Sequence, residues 1–276
     1  MAQTINTNVM SLNAQRNLTT TKASMATAVQ RLSSGLRVNS SKDDAAGLAI
    51  ATRMDATSRG YNVAMRNAQD AISLSQTAEG AIGQVTDALQ RMRELAVQSA
   101  NGTNNSGDRV NLDAEFQQLG SEVARVISSA SFNGATLLNG SNATFSFQVG
   151  AGTAAGDTIS VSSANLSALS TSTVGLSVSG ATSGSAVTAI GSIDTLLDTL
   201  NTERAKIGAT QNRFESVISS LQISSENIMA SKGRIMDADY ASETANLTRV
   251  QILQQAGTAM LSQANQAPQS VLSLLK

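Results

Sequence analysis

The chain has no cysteine, histidine or tryptophan, a single proline and only 3% aromatic residues in a length of 276. Without Cys there is neither a disulfide framework nor a thiolate metal site, and the redox compartment is left open. Without His or Cys, histidine-based triads, thiol chemistry and imidazole metal ligands are excluded. Carboxylates, lysines and hydroxyls remain, and no converging set of them is visible, so the reading is non-enzymatic and no cofactor is expected. Asp43 and Asp44 are adjacent carboxylates, but neighbouring helix residues point about 100° apart, which favours a helix-start role beside the dipole over a catalytic pair. Gly150-Ala151-Gly152 lacks the lysine of a phosphate-binding loop. Long apolar runs are also missing: nothing approaches the roughly 18 residues of a membrane span. Met1 to Met10 has neither a basic nor an apolar signal region, so no membrane insertion and no Sec-type signal are expected.

Net charge is −1, but the charges are unevenly spread. Residues 1–60 carry seven Lys or Arg against three Asp. Val126 to Glu203 contains no basic residue, and Val250 to Leu275 contains no charge at all. With no aromatic before Tyr61 to stack bases, the basic front reads as a solvated face and no nucleic-acid partner is expected.

Small and polar residues fill the space that large apolar ones usually occupy, which suits closely packed helices. Seven apolar residues recur at intervals of seven from Ile193 through Leu200, Ile207, Phe214, Leu221 and Ile228 to Ile235. The row predicts one seam of a long helix, too narrow to stand without partners. A second such row runs from Met54 to Ala96 through Tyr61, Ala68, Ser75, Ile82 and Leu89, within a helix ending near Ser99. Its small residues permit close approach. Ser41 followed by Asp44 reads as the capping box that opens this helix. After the turn at Asn101 to Gly107, Leu112, Phe116, Leu119, Val123 and Val126 predict a third helix folding back as a hairpin and sharing the seam.

Phe132 to Gly191 is rich in Gly, Ser, Thr and Ala. Alternation at Phe145, Phe147 and Val149, at Ile159 and Val161, and at Leu176 and Val178 predicts short strands there. At the front, Ile5, Val9, Leu12, Met25, Val29 and Leu32 sit at broken helical spacing as far as the stop at Ser33-Ser34-Gly35. At the back, Leu247, Val250, Leu253, Met260 and Leu261 do the same up to Pro268. Both stripes are too thin to be stable alone. Pairing them joins the chain's two ends and leaves weakly polar faces suited to identical copies, so these eleven residues are the candidate assembly contacts.

The resulting fold class is mainly α: a long-helix coiled-coil bundle made from N- and C-terminal segments, with a small central element containing a β-hairpin. The expected divisions are a terminal coiled-coil domain over 1–44 and 241–276, a helical rod domain over 45–140 and 190–240, and a Ser/Thr/Gly-rich β-like region over 141–189.

Several strings carry a family resemblance. They are Ala2-Gln3-Thr4-Ile5-Asn6-Thr7-Asn8, Arg31-Leu32-Ser33-Ser34-Gly35-Leu36-Arg37-Val38-Asn39, Asp43-Asp44-Ala45-Ala46-Gly47-Leu48-Ala49-Ile50-Ala51, Gln90-Arg91-Met92-Arg93-Glu94-Leu95-Ala96-Val97-Gln98, Phe132-Asn133-Gly134 and Val271-Leu272-Ser273-Leu274-Leu275-Lys276. In this order they make the chain resemble bacterial flagellin over nearly all of 1–140 and 190–276, in a short form without large outer variable domains.

The resemblance implies a subunit that self-assembles through its terminal helices into the extracellular flagellar filament used for swimming. It further implies export through the flagellum's own type III route, and partners that include other flagellin subunits, the filament cap, the hook–filament junction protein and an export chaperone. A host Toll-like receptor is implied to read Arg91, Leu95 and Glu115. By spacing, Leu95 falls just outside the Leu89/Ala96 row, so partial exposure is expected. Val271, Leu272, Leu274 and Leu275 match the tail read by cytosolic sensors. The alternative is a hook–filament junction or related axial protein, which shares the terminal helices.

Overall fold

A computed structural model describes residues 7–273, with side chains as far as 266. Six helices and four short strands follow one another: α1 (Val9–Ser34), α2 (Ala45–Ala100), α3 (Ser106–Ser129), β1 (Ser131–Phe132), β2 (Ala135–Thr136), β3 (Thr144–Gln148), β4 (Thr158–Ser162), α4 (Ser167–Gly175), α5 (Gly184–Met236) and α6 (Tyr240–Ser273). They form two compact units. One comprises 7–56 and 226–273, the other Thr57–Ser225.

Helix ends follow from side chains that satisfy the free backbone groups. Asn8 caps α1 by accepting the Ser11 N–H, and Gly35 closes the helix in the left-handed region at φ 70°, donating its N–H to Arg31 O. The box expected at Ser41 is absent. Asp44 itself accepts the Gly47 N–H at 2.8 Å, while Asp43 accepts the Ser40 and Asn39 amides and so shapes the preceding loop. Asn105 and Asp108 form a complete capping box at the start of α3. At the other end of the chain, α6 continues beyond Pro268 to Ser273, further than the apolar pattern indicated.

In the unit spanning Thr57–Ser225, the larger part of the seam is one apolar cluster. Ile82, Val85, Leu89 and Met92 from α2 meet Phe116, Val123 and Ile127 from α3 and Ile193 and Leu200 from α5. Below it, Ala68, Ala71, Val149, Ile159 and Phe214 form a second, smaller cluster. It is here that the antiparallel β3–β4 hairpin, with Phe145 opposite Val161 and Phe147 opposite Ile159, lies on the helices. Gly60 allows this approach: a Cβ there would stand 2.7 Å from the Ala151 Cβ.

Two central elements differ from the alternation pattern. Residues 176–178 are not a strand. The extended segment after α4 is instead held by side chains, with Asp113 accepting the Val178 N–H at 2.7 Å and Ser99 donating to Val178 O at 2.7 Å. α4, which has almost no amphipathic signal, packs on α3 where Gly120 leaves room; a Cβ at that position would stand 3.1 Å from Thr173 O. Arg109, 4% exposed, ties the same region together by donating to the carbonyls of Ser99, Asn101 and Ala181.

Candidate assembly surface

In the unit formed by the chain ends, α1 and α6 run antiparallel. Asn8 Nδ2 donates to Ala264 O at 2.7 Å, Ser11 Oγ donates to Asn265 Oδ1 at 2.8 Å, and Tyr240 donates its hydroxyl to Leu32 O at 3.2 Å. Arg31 and Glu243 form an ion pair at 3.9 Å. Midway, Gly257 faces Leu18, whose Cδ1 would lie 3.3 Å from an added Cβ, so glycine sets how closely the helices approach.

The joint at the base of this pair is built from backbone groups. Leu36 and Asp237 form an antiparallel bridge, Arg37 N–H donates to Met236 O at 2.6 Å, and Ala238 N–H returns to Gly35 O at 2.9 Å. Arg37 Nη2 adds a bond to Ile235 O at 2.8 Å, and Lys232 pairs with Asp55.

The pairing consumes little of the apolar surface. In α1 only Ser11 and Ala28 are buried, and of the described α6 side chains only Ala264 is. The candidate contacts therefore divide into two sets. Met25, Leu32, Leu247, Val250 and Leu261 are half-buried, whereas Val9 (63% exposed), Leu12, Val29, Leu253 and Met260 (62%) are open. Met10 and Ile252 join the open set and were not singled out from the sequence, because each falls off the idealised stripe. Ile5, Leu274 and Leu275 lie outside the described residues, as do the side chains of Val271 and Leu272.

On the other unit, Arg91 reaches from α2 to α3. Its Nε and Nη2 donate to one Glu115 oxygen at 3.0 and 2.9 Å, and Nη1 donates to Glu94 at 2.9 Å. These bonds, to Glu94 first and then Glu115, raise the Arg91 pKa. Both Arg91 and Glu115 have half their side-chain surface exposed. Leu95 corrects the sequence reading: it is 1% exposed, within the seam beside Met92 and Ala96, because α2 presents two adjacent rows to its neighbours there.

Among the described residues, no group of three or more Asp or Glu is placed to hold a metal ion, and no helix is long and apolar enough to cross a membrane.

The chain is similar to known proteins over its whole length. The bacterial flagellin N-terminal helical region matches residues 5–143, and the bacterial flagellin C-terminal helical region matches 190–275. A flagellin of Halalkalibacterium halodurans is 45% identical over 272 residues, covering 99% of both chains. The flagellar filament 33 kDa core protein of Treponema phagedenis is 40% identical over 286 residues, again covering 99% of both. Among solved structures, Bacillus cereus flagellin shares 34% identity with a TM-score of 0.50, covering 56% of this chain and 88% of that one. A flagellar hook-associated protein from Vibrio parahaemolyticus shares the fold at 14% identity and a TM-score of 0.58, covering 71% of this chain and all of that one. At that identity the likeness is one of fold alone, and the hook–filament junction alternative is not favoured over the full-length flagellin matches. The chain belongs to the bacterial flagellin family.

Proposed function

We propose that the chain is a structural subunit that polymerises, through α1 and α6, into the extracellular flagellar filament used for swimming. The observation that carries this reading is the unspent apolar surface of the terminal pair. Val9, Met10, Leu12 and Val29 on one helix, and Ile252, Leu253 and Met260 on the other, remain open after the helices have paired. From Val250 to Gln266 there is no charge to oppose contact with a second copy. Residues 1–44 and 241–276 form the filament-core domain, 45–140 and 190–240 the rod, and 141–189 the short variable region of this reading.

The half-buried set, Met25, Leu32, Leu247, Val250 and Leu261, supports pairing within a subunit. The open set supports contacts between subunits, and Ile5, outside the described residues, is a further assembly contact of this reading. The cap and the hook–filament junction protein are further partners, and an export chaperone binds the C-terminal helix. A Toll-like receptor reads the exposed Arg91 and Glu115, while Leu95, the third residue of this epitope reading, lies buried in the seam beside Met92 and Ala96. Val271, Leu272, Leu274 and Leu275 form the tail read by cytosolic sensors. No cofactor or nucleic acid takes part.

The test is seeded polymerisation of the purified full chain, followed by negative-stain microscopy. Long uniform fibres are expected from the native chain. The double variant Leu12→Asp with Met260→Asp should keep its helix content by circular dichroism and form no fibres, because both side chains already face solvent. Fibres of normal length from that variant would overturn the assignment of the open face.

A further inference from the structure

We infer that Asn101 is a site of spontaneous amide hydrolysis, at which the fold both exposes and assists the reaction. The chain contains three Asn-Gly pairs, at 101–102, 133–134 and 139–140. In such a pair the glycine nitrogen can attack the Asn Cγ. A nitrogen–carbon bond forms, the carbon–NH2 bond breaks, and ammonia leaves with the proton lost by the glycine amide. Water then opens the cyclic imide at either carbonyl, giving aspartate or isoaspartate. No enzyme or co-reactant other than water is needed, and the inference does not depend on the filament reading.

The three sites differ in what the fold permits. Asn133 and Gly134 form the two-residue turn between the paired Phe132 and Ala135, with φ at 48° and 79°. A left-handed asparagine turns the following nitrogen away from its own Cβ, so ring closure there requires the turn to unwind. Asn139 is half-buried and bridged to Asn165, and the Asn165 side chain packs so closely on Gly140 that an added Cβ would stand 2.6 Å from it. Rotation of that peptide is blocked by packing.

At Asn101 neither restraint applies, and the one hold on the side chain, Thr103 N–H donating to Oδ1 at 3.3 Å, draws electron density from the Cγ that is attacked. Asn101 and Gly102 are exposed in the turn after α2, and nothing stands within 4 Å of a Cβ built on Gly102. Attack requires the Gly102 N–H to give up its proton, and the resulting charge spreads onto the carbonyl oxygen of the same peptide, that of Asn101. Arg109 Nη2 lies 3.4 Å from that oxygen and Asn104 N–H lies 3.3 Å from it. The buried guanidinium donates to the neutral carbonyls of Ser99, Asn101 and Ala181, so its positive charge is available to favour the anion.

Incubation of the full-length protein at mildly alkaline pH, followed by peptide mapping with mass spectrometry and isoaspartyl methyltransferase labelling, tests the assignment. Asn101 is expected to lose most of its amide while Asn133 and Asn139 keep theirs. Gly102→Ala, which the open space accommodates, should suppress the loss, and Arg109→Gln should slow it at Asn101 alone. Earlier or equal conversion at Asn133 or Asn139, or an unchanged rate in Gly102→Ala, would overturn the inference.

Discussion

The ring of Phe147 on β3 stands edge-on to the ring of Phe214 on α5, with centroids 5.7 Å apart and planes at 83°. Phe214 belongs to the sevenfold row of α5 and is fully buried. One residue of the helical seam is thus also the platform for the β3–β4 hairpin.

Phe214→Ala removes that platform and leaves a cavity among Ala68, Ala71, Val149 and Ile159. A destabilisation of about 3–5 kcal/mol is expected in urea unfolding. A loss below about 1 kcal/mol would mean that the hairpin settles into the gap.

Glycines in α2 should respond in opposite ways. Gly80 faces open space, so Gly80→Ala removes the helix penalty and should stabilise by about 0.5–1 kcal/mol. At Gly60 the same change meets Ala151, and the displaced hairpin loop should cancel or reverse the gain. Paired thermal melts that show equal gains would refute the close approach.

Acid should weaken the fold through three carboxylates held below their ordinary values. Asp43 is lowered by the Ser40 amide and then the Asn39 amide, Asp194 by the Arg93 guanidinium, and Glu122 by Arg125. A lowered folded pKa binds protons less readily than the unfolded chain. The contribution is therefore present above the ordinary value, 3.8 for the aspartates and 4.5 for the glutamate, and is lost as pH falls through the lowered one. Asp194→Asn should flatten the acid limb of a stability–pH profile relative to the native chain. An unchanged limb would show that the Arg93–Asp194 pair, 2.7 Å apart, is broken in solution.

Arg91→Ala should abolish binding to a Toll-like receptor ectodomain while barely moving the melting temperature, since solvent-exposed ion pairs add little to stability. Retained binding, measured by surface plasmon resonance, would remove Arg91 from the receptor surface.

The long helices were legible in the sequence because their signal is periodic and repeated. Leu89, Phe116 and Leu200 each sit on a row that predicts burial, and each is buried. Leu95 misled for a related reason: a single row marks one face, while α2 is covered across two adjacent rows, and nothing local records the second neighbour. α4 was illegible because Ser167 to Gly175 has no amphipathic pattern; Gly120 on a different helix makes the room it packs into. At the assembly surface, spacing found most apolar residues of both terminal helices, missed Met10 and Ile252, and did not separate Leu32, turned toward the pair, from Leu12, turned away. That distinction depends on the angle at which α1 meets α6, a property of neither helix alone.

The joint at Gly35 and Ala238 gives the α1–α6 pair a direction. Once that joint is closed, each successive contact outward completes only a short loop, whereas joining Asn8 to Ala264 first would close one of more than 250 residues. The pair should form as a zipper from the joint and open first where Asn8 meets Ala264. Hydrogen exchange would then fall steadily from Asn8 toward Leu32, and a neighbouring copy that docks on the open face would rearrange the pair most easily near Asn8 and Ala264.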